Sequence, residues 1–306
     1  MNRSAPRSID QYLKALREEL AGEDAALIQD ALYDAEEYLR AEVAAHPDKS
    51  ESDVLELIAS TYGAPDEVAS AYRETEAKVK AAMTPPRKIP KGGAGAFFGV
   101  FLDPRAYTSL FFMLLSLATG VIYFTFAVTG LSLSAGLAVL IIGIPFFLVF
   151  MALTRVVSLA EGRLIEAMTG ERMPRRPVHQ SNIAGFWARV GQMLKDRRTW
   201  TTLAYFILML PLGIVYFVIA VVGLSVSLAF IFAPLVEFAG RNGWFGLPDD
   251  LHSSPAWLES LWALPLLVLA GVLLLTLVMH LARGVGHLHA MYAKALLVAP
   301  AASPLG

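Results

Sequence analysis

One stretch of this chain is written twice, and the duplication constrains the fold more than any other feature. Asp103 to Ser134 matches Asp196 to Ser227 without a gap, 93 positions further on, and nearly half of the residue pairs are identical. The matches include polar and aromatic residues as well as aliphatic ones, for example Tyr123 with Tyr216 and Ser132 with Ser225. We interpret the two stretches as copies of an internal repeat.

Four long apolar segments without Asp, Glu, Lys or Arg lie in or beside the two copies. They are 107–128, 131–154, 200–222 and 261–282. About 20 apolar residues in a helix cross a bilayer core, where only helices and closed barrels satisfy their backbone hydrogen bonds. The sequence therefore predicts an all-α polytopic membrane protein with two helical hairpins, the first of which reverses at Gly130. A further apolar run, 224–236, is too short to cross, and it fits a half-inserted helix or an outer extension of the third span.

The second copy differs from the first by an insertion in its outer turn. Beyond the insertion the match resumes at an offset of 128 residues, with Arg155 opposite Arg283, and it continues along an amphipathic tail. Each repeat is thus expected to be a hairpin followed by an interfacial helix. We divide this part of the chain into repeat 1, repeat 2 with its insertion, and a tail, at 103–177, 178–298 (insertion 237–260) and 299–306.

The distribution of positive charge predicts the orientation in the membrane. Residues 155–198, between the repeats, contain nine Lys and Arg, whereas the insertion contains only Arg241. Basic loops remain in the cytoplasm, so both termini and the interfacial helices are expected on that side. The N-terminal residues lack the apolar core of a signal peptide. We expect a multi-pass protein of the bacterial cytoplasmic membrane.

The first 82 residues form a separate part of the chain in which acidic residues outnumber basic ones. Hydrophobic residues recur there at helical spacing in four short segments, which begin near Ser8, Asp24, Ser50 and Pro65. This pattern predicts a small cytosolic helical domain, which we call the head. A linker at 83–102 follows it, rich in Pro and Gly and basic just before the membrane.

Two motifs of the head match a known module. One is Tyr62-Gly63-Ala64-Pro65-Asp66-Glu67-Val68-Ala69, and the other is Glu36-Glu37-Tyr38-Leu39 at the end of an acidic helix. With these residues the head resembles the HAAS-type signalling domain, an all-helical module at the N-terminus of bacterial membrane proteins. The resemblance implies a signalling role for the head.

Two surfaces are candidates for recognition. Asp30, Asp34 and Glu37 lie on one helix of the head, where they could dock a basic cytosolic protein or simply form a solvated face that keeps the head soluble. The outer insertion is the second candidate, because the difference between the two copies is concentrated there. Its candidate recognition residues are Arg241, Trp244, Asp249, Asp250 and Trp257.

A second set of motifs lies in the membrane part. They are Asp196, Thr199-Trp200, Leu210-Pro211-Leu212-Gly213, Phe217, Ala233-Pro234-Leu235, Leu153-Thr154-Arg155 and Leu281-Ala282-Arg283. Through them, residues 107–298 resemble the sensor domain that precedes the kinase core in many actinobacterial histidine kinases and also occurs alone. The resemblance implies a sensing role without an agreed ligand. No kinase, ATP-binding or DNA-binding module is expected in this chain.

Few residues offer catalytic or ligand chemistry. His280 and His287 are one heptad apart near the end of the last span, and they could bind a metal or pigment or hydrogen-bond at the membrane interface. No charged residue lies in the middle of a span, which argues against an ion or proton pathway. HExxH, GxSxG and P-loop patterns are absent from the sequence. We therefore expect no enzymatic activity, no cofactor apart from bound lipid, and no nucleic-acid partner.

Two functions fit this sequence. The first is a signalling or regulatory membrane protein that couples a membrane or envelope cue to a cytosolic partner through the acidic head. The second is a structural accessory subunit that stabilises a larger complex, such as a transporter or a respiratory or photosynthetic assembly. Membrane lipids are partners in both, and the chain is expected to form a homo-oligomer or to belong to a membrane complex.

Overall fold

The computed structural model describes residues 6–83, 92–140, 142–176, 191, 194–242 and 262–298. In these ranges helices are the regular secondary structure, and short turns and irregular segments connect them. Contacts divide it into two compact units, one of Met1–Pro86, Gly130–Tyr205 and Ala290–Gly306 and the other of Arg87–Thr129 and Phe206–His289. The longer helices described are α1 (Ile9–Glu19), α2 (Ala25–Ala45), α3 (Glu51–Thr61), α4 (Pro65–Met83), α5 (Gly93–Phe98), α6 (Pro104–Leu137), α7 (Gly143–Thr169), α8 (Arg197–Arg241) and α9 (Ala263–Leu297).

The head contains the four helices that the sequence predicts, and it belongs to the same compact unit as residues 130–205. Ser8 caps α1 by accepting a hydrogen bond from the Gln11 N–H, and Asp24 caps α2 in the same way through the Ala26 N–H. Ser50 caps α3. Side chains with an oxygen at this position satisfy amide groups that have no partner inside the helix, so the short helices begin at defined residues.

The core of the head consists of the predicted hydrophobic stripes. Tyr12 and Leu16 of α1 are buried in one cluster with side chains from the three other helices, and the Tyr12 hydroxyl donates to the Gly63 carbonyl at 2.8 Å. Gly63 has φ of +106°, a conformation that glycine adopts without strain, and it turns the chain from α3 into α4. The other buried members are Ile9, Leu20, Ile28, Ala31, Ala35, Leu39, Val54, Leu55, Ile58, Val68 and Ala69.

Four helices in the described residues are long and apolar enough to cross a membrane. They are Pro104–Leu137, Gly143–Thr169, Arg197–Gly240 and Ala263–Leu297, with mean hydropathies of 2.1, 1.9, 2.7 and 2.5. Each exceeds the about 20 residues that one crossing needs. The predicted number of spans is therefore confirmed, and the chain is a multi-pass membrane protein.

The position of the first hairpin turn differs from the prediction. Gly130 lies inside α6, which continues to Leu137, and α7 begins only at Gly143. A Cβ atom built on Gly130 would lie 1.9 Å from the Phe150 ring. The glycine is needed for this close packing of an aromatic ring, and it does not mark a reversal of the chain.

The third span continues into the apolar run that follows it. α8 runs unbroken from Arg197 to Arg241 and contains both Pro211 and Pro234. Of the two alternatives for 224–236, an extension of the third span is therefore the one found, and its placement on the outer side stays a prediction. The expected interfacial helices are likewise continuous with the spans, because α7 reaches Thr169 and α9 reaches Leu297. Within the predicted linker, α5 and a 3₁₀ turn at Gly99–Leu102 are helical.

α6 and α8 approach each other most closely at small residues. A Cβ atom on Gly120 would lie 2.6 Å from the Met209 carbonyl oxygen, and one on Gly213 would lie 2.2 Å from the Ser116 carbonyl oxygen. These two contacts correspond in the sequence copies, since Gly120 aligns with Gly213 and Ser116 with Met209. Glycines at helix crossings let backbones touch in membrane proteins.

The start of each copy also makes corresponding contacts. Asp103 accepts a hydrogen bond from the Arg105 N–H at 3.0 Å, and Asp196 accepts one from the Arg198 N–H at 3.0 Å. Asp103 forms an ion pair with Arg283 at 3.2 Å. Both aspartates therefore cap the start of a membrane helix in the same way, and the internal repeat remains a prediction from the sequence.

We predict that Gly213→Ala lowers the stability of the membrane helices, because the added methyl group meets a backbone oxygen. Overpacking of this kind costs about 1 to 3 kcal/mol. Gly136 is the control, since nothing lies within 4 Å of a Cβ atom at that position. When the purified protein is unfolded in mild detergent, Gly213→Ala should have a lower midpoint than the wild type. The midpoint of Gly136→Ala should equal that of the wild type. Equal midpoints for the two variants would refute the close crossing.

Candidate functional site: the acidic face of the head

The most densely connected polar site described is centred on Asp30 of α2. The residue is 5% exposed, and its side chain accepts three hydrogen bonds from one short segment that follows α7. Oδ2 accepts from the Arg172 guanidinium at 3.0 Å, and Oδ1 accepts from the backbone N–H groups of Arg175 and Arg176 at 2.8 and 2.9 Å. We call residues 172–176 the arginine segment.

Burial raises the pKa of the Asp30 carboxyl group, while the N–H groups of Arg176 and Arg175 and the charge of Arg172 act in the opposite direction. The raised pKa means that removal of the carboxylate from water costs more than these donors return. A carboxylate in such a place is retained only with its donors in position. Asp30 is therefore sensitive to any displacement of the arginine segment.

Neighbouring residues of α2 contact the same segment. Gln29 Nε2 donates to the Arg176 carbonyl at 2.6 Å, and Asp34 forms an ion pair with the Arg176 side chain at 2.9 Å. The Arg176 guanidinium also lies 5.8 Å from the centre of the Tyr33 ring, within the range of a cation–π interaction. Residues at i, i+1, i+4 and i+5 share one side of a helix, so this side of α2 contacts both the backbone and the side chain of Arg176.

Other helices of the same unit add ionic contacts. Glu76 of α4 forms an ion pair with Arg172, whose side chain is 13% exposed between Glu76 and Asp30. Asp24, at the start of α2, forms an ion pair with Lys294 near the end of α9. We define the docking face as Gln29, Asp30, Tyr33, Asp34 and Glu76.

The arginine segment is held on its other side by α7. Gly170, with φ of +74°, ends this helix in the left-handed conformation, and the chain then turns back along it. Met173 is fully buried and lies in contact with Gly162, and the Arg175 side chain bonds Glu166 at 2.8 Å. The segment is thus attached to α7 through Met173 and Arg175, and to the head through Arg172 and Arg176.

The structure brings two of the three predicted head residues to one place. Asp30 and Asp34 belong to the docking face, whereas Glu37 is exposed further along α2 and is not part of it. The sequence analysis did not single out the arginines that bind this face. Their signal was three arginines within five residues, directly after a helix-ending Gly170.

The predicted outer recognition residues cannot be placed as a site. Arg241 is the last residue of α8, and Trp244, Asp249, Asp250 and Trp257 lie outside the described residues. They remain predictions from the sequence.

The two histidines do not form a site together. His280 Nε2 donates to the Phe97 carbonyl at 2.9 Å, and its ring stacks on the Phe97 ring, so this histidine attaches α5 to α9. His287 is exposed. Among the described residues, no group of three His, Asp or Glu side chains could hold a metal ion.

Two buried polar residues were missed by the sequence analysis. Glu161 of α7 is 0% exposed and accepts a hydrogen bond from the Tyr205 hydroxyl at 2.7 Å. His289 of α9 is 1% exposed, and its ring lies 4.8 Å from that of Phe112. The signal in the sequence is the alignment of the two similar stretches, which places Glu161 opposite His289 and Phe112 opposite Tyr205.

Comparison with known proteins assigns a family to the membrane part. A family model described as "Putative sensor" matches residues 112–297. No curated protein and no solved structure matches the chain. The match covers α6 to α9 almost completely and leaves out the head. Since it spans more than half of the residues, the chain belongs to this sensor family.

Proposed function

We propose that the protein is a non-catalytic membrane signalling protein, in which the membrane helices respond to a membrane or envelope cue and the head passes the response to a cytosolic partner. The contact between the docking face and the arginine segment is the observation that carries this proposal. Membership of the sensor family supports the sensing part. The resemblance of the head to a HAAS-type domain supports the signalling part.

The arginine segment is suited to connect sensing by the membrane helices with signalling by the head. It follows directly on α7, a helix of 27 residues, and Met173 and Arg175 attach it to that helix. A helix is stiff, so a shift of α7 moves the segment with it. Asp30 is buried and depends on three donors from the segment, so a small shift weakens several hydrogen bonds at once. Under this proposal the cue changes how firmly the head is held.

The remaining parts of the proposal follow from the distribution of charge. We place both termini in the cytoplasm of a bacterium and the insertion at 237–260 on the outer side, with membrane lipid as the surrounding ligand. The basic residues between the repeats support this orientation. The alternative function, an accessory subunit, predicts a different set of copurifying proteins.

Native purification distinguishes the two functions. The tagged protein, isolated in mild detergent and analysed by mass spectrometry, should be recovered alone or as a small oligomer, with a cytosolic partner in less than equal amount. Recovery in a fixed ratio with the subunits of a large membrane complex would contradict the signalling function and support the accessory subunit.

Docking of the head can be measured because the chain contains no cysteine. Spin labels at Ala41→Cys and Ala167→Cys, both exposed, report the distance between α2 and α7 in lipid nanodiscs. We expect one narrow distribution for the wild type and a broad, longer one after Asp30→Ala. Breaking a buried ion pair costs about 3 to 5 kcal/mol. Glu37→Ala, on the same helix but exposed, should leave the distribution unchanged. A narrow distribution in Asp30→Ala would contradict the proposed role of Asp30.

Orientation is tested with single cysteines in cells. A membrane-impermeant maleimide should label Ser253→Cys in the insertion on intact cells, but it should label Asp48→Cys in the head only after lysis. Labelling of Asp48→Cys on intact cells would reverse the proposed orientation.

A further inference from the structure

We propose that the docking face is a peptide-binding site for an arginine-containing segment of the cytosolic partner, and that the chain's own arginine segment occupies this site until the partner displaces it. This inference rests on the proposed signalling function and names the chemistry of the partner. The partner's segment carries two arginines four residues apart and a turn that presents backbone N–H groups.

The docking face binds its occupant as a peptide receptor does, through backbone groups as well as side chains. Asp30 accepts two successive backbone N–H groups of the segment, and Gln29 donates to the carbonyl of Arg176. A face that only balanced charge would not need these contacts. Main-chain hydrogen bonds supply affinity for any segment of this shape, while the side-chain contacts select its sequence.

Side-chain selection is confined to two of the three arginines. Arg172 is held between Asp30 and Glu76, and Arg176 lies between Asp34 and the Tyr33 ring. Arg175 donates its backbone N–H group to Asp30, whereas its side chain bonds Glu166 of α7 and acts on Asp30 through its charge alone. The face therefore distinguishes the first and last arginines from the middle one, and this difference is a property that an experiment can detect.

Arginine is the residue type that these contacts require. The guanidinium group is planar, carries several donors and stacks on aromatic rings, whereas the ammonium group of lysine is a strongly hydrated point charge. Arg176 uses both properties, with an ion pair to Asp34 and a ring contact with Tyr33. We expect lysine at either position to bind more weakly than arginine.

Occupation by the chain's own segment makes the site competitive. A segment tethered in the same chain acts at an effective concentration of about millimolar, so a partner at lower concentration binds only when the segment is weakened or withdrawn. Since the segment is attached to α7, a shift of that helix lowers its hold on the head. The same shift makes the site accessible to the partner.

The test is a competition assay with the full chain in detergent or nanodiscs. A fluorescent peptide of residues 170–176 is titrated with the wild type and with the double variant Arg172→Ala/Arg176→Ala, and binding is read by anisotropy. We expect the double variant to bind the peptide at least tenfold more tightly, because its own segment no longer occupies the face. Equal binding, or none by the double variant, would overturn the proposal.

Matched changes identify the binding site. Adding Asp30→Ala to the double variant should abolish the gain, whereas adding Glu37→Ala should preserve it. Unfolding midpoints of all variants are recorded, and a variant that has lost the folded head is replaced by Asp34→Ala at the same face. In the peptide, Arg175→Ala should bind as the parent does, and Arg172→Ala/Arg176→Ala should not bind. Equal loss from all three arginines would reduce the site to a nonspecific acidic surface and overturn the proposal.

A second copy of the chain is the other conceivable occupant. Mixing the Asp30→Ala variant with the Arg172→Ala/Arg176→Ala variant leaves one intact docking face and one intact arginine segment on different chains. Formation of a dimer only in this mixture would assign the face to a second copy and overturn the proposal of a separate partner. The peptide assay needs no cue and no partner, so its failure is distinguishable from a failed purification test of the proposed function.

Discussion

The connection between the head and α7 depends on the Asp30 carboxylate, which is buried away from water. Three donors from residues 172–176 converge on its two oxygens. The three donors depend together on a helix end at Gly170, a buried side chain at Met173 and a turn that presents the successive N–H groups of Arg175 and Arg176. A buried carboxylate contributes specificity of position more than stability, because its desolvation cancels much of the ionic attraction. The head is therefore held at one position along the arginine segment.

Much of the architecture could be predicted, because strong physical constraints act on short stretches of sequence. Uncharged apolar runs must be helical in a bilayer, and capping residues such as Ser8 and Asp24 begin helices wherever they stand. The prediction of a turn at Gly130 was wrong, because a glycine in an apolar run can mark either a reversal of the chain or a close packing contact. Only the position of Phe150, 20 residues later, distinguishes them.

Only the acidic half of the candidate site could be predicted from the sequence. The pattern indicated an acidic side of α2, and Asp30 and Asp34 do bind basic groups. Their occupant is distant in sequence, and nothing in local periodicity connects residue 30 with residue 172. The difference between Asp30 and Glu37 was equally hidden, since both are carboxylates on one helix and only tertiary packing buries the first of them.

The two similar sequence stretches of the membrane part differ at the helix end that meets the head. Corresponding positions keep the same packing with different chemistry, as Glu161 with Tyr205 and His289 with Phe112 show. The end of α7 continues into the arginine segment, whereas α9 ends at Leu297 and contacts the head through an ion pair of Lys294 with Asp24. The arginine segment and the crossing at Gly120 and Gly213 use different residues, so a helix end can bind the head without any change at the crossing. The two similar sequence stretches therefore differ at the helix end that meets the head as well as in the insertion predicted from the sequence.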